Sequence, residues 1–464
     1  MRVSFGISGH DVGERGLLEQ NELDVALELR QRNGSMMNSI TRKRSRLLTL
    51  SGVIISALTL TACGSAGGPV TQTSDGGAVE MWVRASSAAQ SQALVDAYNL
   101  SHDQQVELTV VPTDNYLQKV GVAAGGNQLP CLMASDVVYM PNFIEKNLYL
   151  DITERVDGLA FKDDLAGGHM SLASSEGVTY GVPHTVAVSA IFQNDILLER
   201  AGIDPDVVLT SLQELADNAT KVAALGNGTT GLYYTGNNAG SISFTHFPAI
   251  WASGGEALSD DGYESLLASP ESIAVFQAFN DMFKSGATAD SVRNESGATR
   301  NEVFAQGNTG YMLASNSVLD AVPETENLKI GVMGMPGIDG GVSAFVGGDS
   351  IGITASCNDA NGAWAFLEWT LSEEGQIEVF AKANQLTVRS DLADNEYAAM
   401  DPRVVRLNEL VGEGDTPKAL NYGQTFNDPN GPALATFRDA LFGGDAAAAL
   451  RSGNDAITNS LGGN

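Results

Sequence analysis

Residues 79 to 150 read strand, helix, strand, helix, strand, helix, and that order leaves few folds open. VEMWV is a short apolar run of strand type. AAQSQALVDAYNL carries Ala89, Leu94, Ala97 and Tyr98 at helical spacing. QVELTVV alternates like a strand and is closed by Pro112. DNYLQKVGVAAGG opens on an acid able to cap a helix and ends in glycines. LMASDVVYM reads as the third strand, and PNFIEKNLYL starts with the proline that a first helical turn accepts. Strands joined through helices run parallel, so the segment implies a parallel sheet with helices on its faces. Sheets of that kind take ligands beyond the carboxyl ends of their strands.

The whole chain has 464 residues, enough for two or three domains. Apolar residues make up 43% and charged residues 18%, so a core can form. Against 56 Asp and Glu stand 26 Lys and Arg, a net charge of −30. A surface so acidic repels nucleic acid and anionic lipid. It fits a neutral or cationic ligand, and it also serves the plain purpose of keeping an exported protein in solution.

Ahead of this body lies RLLTLSGVIISALTLTACGSAGG. Leu47 to Ala62 is sixteen residues without a charge, preceded by Arg42, Lys43, Arg44 and Arg46. As a helix it rises about 24 Å, short of the ~30 Å hydrocarbon core, so a secretory signal fits better than a membrane span. Leu60-Thr61-Ala62-Cys63 resembles the lipobox of bacterial lipoproteins. That resemblance implies cleavage before Cys63 and lipidation of its thiol with a diacylglycerol, palmitate among the acyl chains. At least two chains then anchor the protein firmly. Residues 36–62 are thus expected to be the lipoprotein signal, with Met36 or Met37 the start. Residues 1–35 are a mis-called extension or a tail, and 63–78 a flexible Gly/Ser/Thr tether. Without residues 1–62 the body keeps 18 basic and 50 acidic residues over 402 positions.

Further on, Thr185 to Phe192 is extended and apolar, long enough to cross from one lobe to another. SLQELADNATKVAAL, SIAVFQAFNDMFKSG and TRNEVFAQG read as helices, and LKIGVMGMPG as a strand. TTGLYYTGNNAGSISFTHFPAIWASGGEAL is rich in aromatics, Gly and Asn. FVGGDSIGITASC is a second extended crossing, and NGAWAFLEWTLSEEGQIEVFAKAN a single amphipathic helix.

In order and spacing these stretches resemble the family 1 extracellular solute-binding proteins that feed carbohydrate ABC importers. VEMWVRASSAAQSQALVDAYN, DVVYMPNFIEKNLYLDIT, YGVPHTVAVSAIFQNDILLERAGIDP, VFAQGNTGYML, GGDSIGITASCNDANGAWAFLEWTLSEEGQ and QLTVRSDLAD carry the likeness. The resemblance implies an α/β, two-lobed periplasmic-binding-protein-like fold, each lobe a mostly parallel sheet flanked by helices. Lobe 1 would hold 79–185 and 350–418, and lobe 2 with the hinge 186–349 and 419–464. Three crossings would join them, near Thr185, Gly348 and Asn421. It further implies capture of a neutral sugar, an oligosaccharide in preference to a monosaccharide, by hinge closure. Delivery would be to the transmembrane subunits of an ABC permease. The protein would be a monomer without cofactor or metal, held on the outer face of the cell membrane by its lipid alone, with no nucleic-acid partner.

Within that frame, strand ends and crossings supply the candidate ligand residues. Ser86 and Ser87 follow the first strand, where Arg84 also stands; a helix cap is the alternative reading. Tyr116 begins a helix aimed at the cleft. Asp136 and Tyr139 end the third strand, with a cap and a core aromatic as alternatives. His184 precedes the first crossing, although a lone His is more often structural. Phe244 and Trp251 offer aromatic faces, Trp251 equally readable as core, and Asn316 follows a strand. Gly348 lets backbone approach a ligand, and Asp349 can hold hydroxyls. Ala187, Val188 and Gln193 depart from the family pattern in the first crossing. Trp364 and Trp369 read as core. The family layout puts Cys131 and Cys357 together in lobe 1 of an exported protein, so a disulfide between them is expected.

Two other classes stay open. One is a binding protein for a peptide or polyamine. The other is a secreted glycoside hydrolase, which needs two carboxylates about 5–10 Å apart. No His-Glu-x-x-His, P-loop Gly-Lys-Ser/Thr or Cys-x-x-Cys occurs, and five His leave little for a His-based metal site. NDPNG, Asn427 to Gly431, reads as a turn.

Overall fold

Strand side chains alternate between faces, and that period of two builds the layers of this molecule. The computed structural model describes residues 77–462. The signal at 36–62, Cys63 and most of the tether lie outside them. In chain order the elements that frame the site are β1 (Val79–Arg84), α1 (Ala88–Ser101), β2 (Val106–Val111), α2 (Tyr116–Gly125), β3 (Leu132–Asp136), α3 (Met140–Glu145) and β4 (Val182–Asn194). There follow α4 (Leu212–Ala223), β5 (Thr230–Tyr233), α5 (Ala239–Ala252), α6 (Pro270–Lys284), α7 (Arg300–Ala305), β6 (Thr309–Ser315), β7 (Ile330–Met333) and β8 (Val346–Ile353). The chain ends through α8 (Ala360–Thr370), α9 (Pro402–Glu413), α10 (Pro432–Phe442) and α11 (Ala446–Leu461).

These strands form one sheet in the order β2-β1-β3-β8-β4-β6-β5, with β7 also on β4. β1 runs parallel to β2 and β3, as the sequence implies. The long β8 is antiparallel to both β3 and β4, which makes the sheet mixed. Alternation splits the core in two. Leu132, Ala134, Val188, Phe192, Met312 and Ala314 join one buried cluster, and their strand neighbours Met133, Ile191, Tyr311 and Leu313 join the other, across the sheet.

β4 belongs to both halves of the sheet. Its residues 182–188 pair with β8, whereas 189–193 pair with β6 and 191–194 with β7. All thirteen of its residues are buried except Ala187, which is partly so. The apolar run at Thr185 to Phe192 is therefore the middle of a strand shared by two half-sheets. Farther on, Asn421 accepts from Asn142 at 3.4 Å and donates to the Leu461 carbonyl at 3.3 Å, so the returning chain touches both halves.

Two expected elements differ. LMASDVVYM is a strand only to Asp136, whose carboxylate accepts from the Val138 amide and turns Val137–Tyr139 into a 3-10 turn. NGAWAFLEWTLSEEGQIEVFAKAN breaks after Thr370 and resumes as a π-helical stretch at Glu374–Phe380. Ser372 bonds the Trp369 carbonyl, and Gln376 bonds the Thr370 carbonyl, so side chains take over acceptors that a continuous helix would use. A disulfide joins Cys131, just before β3, to Cys357, just after β8, with Cα atoms 4.2 Å apart. Among the described residues no helix is long and apolar enough to cross a membrane.

Candidate functional site

Arg84 ends β1, Asp136 ends β3, and Asp349 lies in β8 as the register partner of Asp136. The sheet thus brings one guanidinium between two carboxylates. Arg84 Nη1 stands 3.0 Å from Asp136 Oδ2. Its Nη2 pairs with Asp349 Oδ1, and its Nε donates to that oxygen at 3.0 Å. Ser87 Oγ donates to the other Asp349 oxygen at 2.5 Å, and the Asp349 amide bonds Thr185 Oγ1. The Asp349 side chain is 0% exposed and that of Asp136 24%. Burial opposes ionisation of Asp349, but Arg84 and Ser87 outweigh it and hold the carboxyl below its ordinary range. Burial dominates at Asp136 and pushes its carboxyl up, with Arg84 opposing. For Arg84 burial is outweighed by the two acids, and its pKa rises.

Above this cluster two cavities, of about 380 and 730 Å³, share Arg84, Asp136, Gly240, Phe244, Arg300 and Asn427 in their walls. The first half-sheet supplies strand ends and the turn into α1. The second supplies α5, the start of α7 and the end of β6. Asn238 caps α5 by accepting from the Ser241 amide at 2.9 Å, which fixes the helix that carries Phe244. Pro248, inside α5, lacks the amide that would bond the Phe244 carbonyl four residues back. Asn427 donates to the Tyr139 hydroxyl at 2.9 Å and ties the two sides together. Gly348 has φ +114, where a Cβ would run into the Thr185 carbonyl, so only glycine fits that point of the crossing.

Of the residues expected to meet a ligand, Ser86, Ser87, Asp136, Phe244, Asn316, Gly348 and Asp349 line the smaller cavity, and Tyr139 the larger. Their positions carry constraints the sequence hid. Asp136 and Asp349 are committed to Arg84. Asn316 Oδ1 accepts from the Val188 amide at 3.0 Å and secures the crossing strand. Three residues sit elsewhere. Tyr116 is 1% exposed, and its hydroxyl donates to the Ala134 carbonyl, because α2 turns that ring into the sheet. His184 lies beneath the cluster with Nε2 2.8 Å from Ser91 Oγ, and burial lowers its pKa to about 4. Trp251 stands behind Phe345, ring centres 5.8 Å apart, and faces neither cavity.

Sequence reasoning missed Arg300, Phe345, Tyr422 and Asn427, all in the walls, and gave no role to Arg84. Arg84 had a signal, its place at a strand's carboxyl end. Asn427 sat inside NDPNG, which reads as a turn whatever it faces. A further spacing passed over is Gly348-Asp349-Ser350-Ile351-Gly352, the Gly-x-Ser-x-Gly of a nucleophile elbow. Here it falls within strand β8, not at a strand-to-helix turn, and Ser350 is 0% exposed against His169. Among the described residues no three His, Cys, Asp or Glu gather so as to hold a metal ion.

Comparison with known proteins agrees in fold and family. A model of bacterial extracellular solute-binding proteins matches residues 93–405. A Brucella abortus (strain 2308) protein, named only as a binding protein, is 26% identical over 298 residues, covering 62% of this chain and 69% of its own length. The cyclic α-maltosyl-1,6-maltose binding protein of Arthrobacter globiformis superposes with a TM-score of 0.71 at 21% identity, over 84% of this chain and all of that one. The sugar-binding protein MalE of Xanthomonas citri gives 0.72 at 16% identity, over 83% of this chain and 97% of that one. At such identities these two likenesses are ones of fold.

Proposed function

This chain belongs to the bacterial extracellular solute-binding proteins, and from that footing we propose that it captures a saccharide of a few units in the cleft between its half-sheets. The observation that carries this reading is the paired cavity, lined by the aromatic side chains Phe244 and Tyr139 together with amide and hydroxyl groups. Sugars present apolar C–H faces to rings and hydroxyls to such donors and acceptors. The combined hollow of about 380 and 730 Å³ favours more than one ring. The solved neighbours named for maltosyl and other sugars point the same way. The acidic net charge of −30 argues against a highly anionic ligand.

Closure would bend β4 and β8 at their shared stretch, where Gly347 and Gly348 lie, and the closed form would dock on a membrane permease. The lipobox-like Leu60-Thr61-Ala62-Cys63 supports anchoring to the outer face of the cell membrane through lipidated Cys63. The protein acts as a monomer and not as an enzyme. Glycoside cleavage would need two carboxylates set as a pair about the scissile bond, and the pair at the centre of the cleft does not serve, since Asp349 is fully buried and Asp136 is tied to Arg84. A polyamine finds no free acid at the cluster, since both are taken by that arginine.

The test is a thermal melt of the full chain against mono- and oligosaccharides, peptides and polyamines. A ligand at a hundred times its Kd stabilises by about 2.7 kcal/mol. A shift with one saccharide class, weakened roughly tenfold or more in affinity by Phe244→Ala and untouched by Trp251→Phe, supports the reading. A shift with peptides or polyamines alone overturns it.

A further inference from the structure

Two arginines share the walls of both cavities, and they differ in one respect. Arg84 spends its guanidinium on Asp136 and Asp349. Arg300, on the opposite side at the start of α7, has none of this. Its Nε is closed off from solvent and has no acceptor among the described residues. Burial lowers its pKa, with Glu295 working the other way.

Glu295 is the acid whose charge acts on Arg300, but its oxygens are already filled. Oε1 accepts from the Gly297 amide at 2.7 Å and the Thr299 amide at 3.2 Å. Oε2 accepts from Thr299 Oγ1 at 2.6 Å and the Tyr233 hydroxyl at 3.1 Å. Two carboxylate oxygens offer about four acceptor positions, and four donors occupy them. Glu295 therefore builds the turn that delivers Arg300 to the cavity wall without quenching its charge. Asp320 and Asp428, the other acids lining the cavities, are exposed at the rim and bonded to Gln385 and Asn430. Arg300 is half-buried, with Nε closed off and no ion pair among the described residues; a cation partly stripped of water in this way is stabilised when a ligand brings an anion to the rest of its fork.

We propose that one unit of the bound saccharide carries a carboxylate, as a uronate does, and that Arg300 receives it and selects for it. This rests on the saccharide reading above. A planar monoanion matches the fork of a single guanidinium. A phosphate dianion does not, because the cluster opposite holds two carboxylates against one arginine and adds a net negative charge to the same cleft.

The experiment titrates the full chain calorimetrically with matched pairs: galacturonate and galactose, glucuronate and glucose, their short oligomers, and the corresponding sugar phosphates. The expected result is at least tenfold tighter binding of one uronate-bearing saccharide than of its neutral counterpart. Arg300→Gln raises the Kd for the uronate by roughly 10- to 100-fold, as loss of a charge-assisted pair does, and erases the preference. Arg300→Lys keeps part of it, and both variants melt like the parent without ligand. Equal binding of neutral and uronate forms, with Arg300→Gln weakening both alike, makes Arg300 an ordinary hydroxyl donor and overturns the proposal while the saccharide reading stands. Preference for a sugar phosphate overturns the carboxylate assignment. No response to any saccharide overturns both.

Discussion

Asp136 and Asp349 are register partners on neighbouring antiparallel strands, and both carboxylates close on the guanidinium of Arg84. The sequence separates them by more than two hundred residues, and one sheet sets them side by side. Asp349 has no access to solvent, so its charge is tolerable only with Arg84 in place. Arg84→Gln should destabilise the chain by about 3–5 kcal/mol, the usual cost of stranding a buried charge. Asp136→Asn, at a partly exposed end of the cluster, should cost about 1 kcal/mol. Chemical denaturation of the two variants measures the difference, and equal costs would remove Asp349 as the reason.

The two crossing glycines should fail in different ways. At Gly348 the positive φ and the Thr185 backbone leave no room for a methyl group, so Gly348→Ala should lose about 2 kcal/mol or more of stability. At Gly347 an added Cβ would meet the Phe244 ring at 3.2 Å, a side chain that can move. Gly347→Ala should keep the melting temperature within a few degrees and weaken ligand binding by displacing that ring. Melting curves and titrations on the pair separate the effects.

Acid should loosen the fold before the carboxylates titrate. Burial lowers His169 and His184 to a pKa of about 4, and His246 to about 3. Unfolded, each titrates near 6.5, so the unfolded chain takes up protons first as pH falls. Their contribution is complete above about pH 6.5 and is lost toward about pH 4 for His169 and His184, at up to about 3 kcal/mol each, and toward about pH 3 for His246, at up to about 5 kcal/mol. Asp349, held low, adds a loss of the same sign at lower pH. Asp136, held high, works in the opposite direction. The melting temperature should fall steadily from pH 7 to 4, and His184→Gln should flatten that slope.

Reduction should weaken the first half-sheet. The Cys131–Cys357 bond spans 226 residues, and constraint of so long a loop is worth up to about 5 kcal/mol on a chain-entropy account, less if the reduced chain keeps structure. A reductant should lower the melting temperature, and tryptic peptides of the untreated protein should contain a linked pair that reductant releases. Identical peptide maps would mean free thiols.

Most of the frame was legible because it is periodic. The short apolar run VEMWV, the alternation in QVELTVV, the helical spacing in AAQSQALVDAYNL and the long apolar run at Thr185 to Phe192 each follow from local geometry, and each forms the element expected. Ser87, Asp136 and Asp349 were found from their places at strand ends and crossings. Tyr116 was misplaced because a helix start says nothing of which way its first ring turns, and here the ring bonds Ala134. Trp251 was misplaced because an aromatic behind a cleft and one within it look alike in sequence.

The sequence by itself therefore determined the order of strands and helices, the two extended crossings and the strand ends from which a site could be built, since these depend on neighbours a few residues apart. The tertiary structure alone decided which charges meet. Arg84 is spent on two acids and Arg300 makes no ion pair among the described residues, because ion pairs form across space between residues such as 84 and 349 that no local pattern connects.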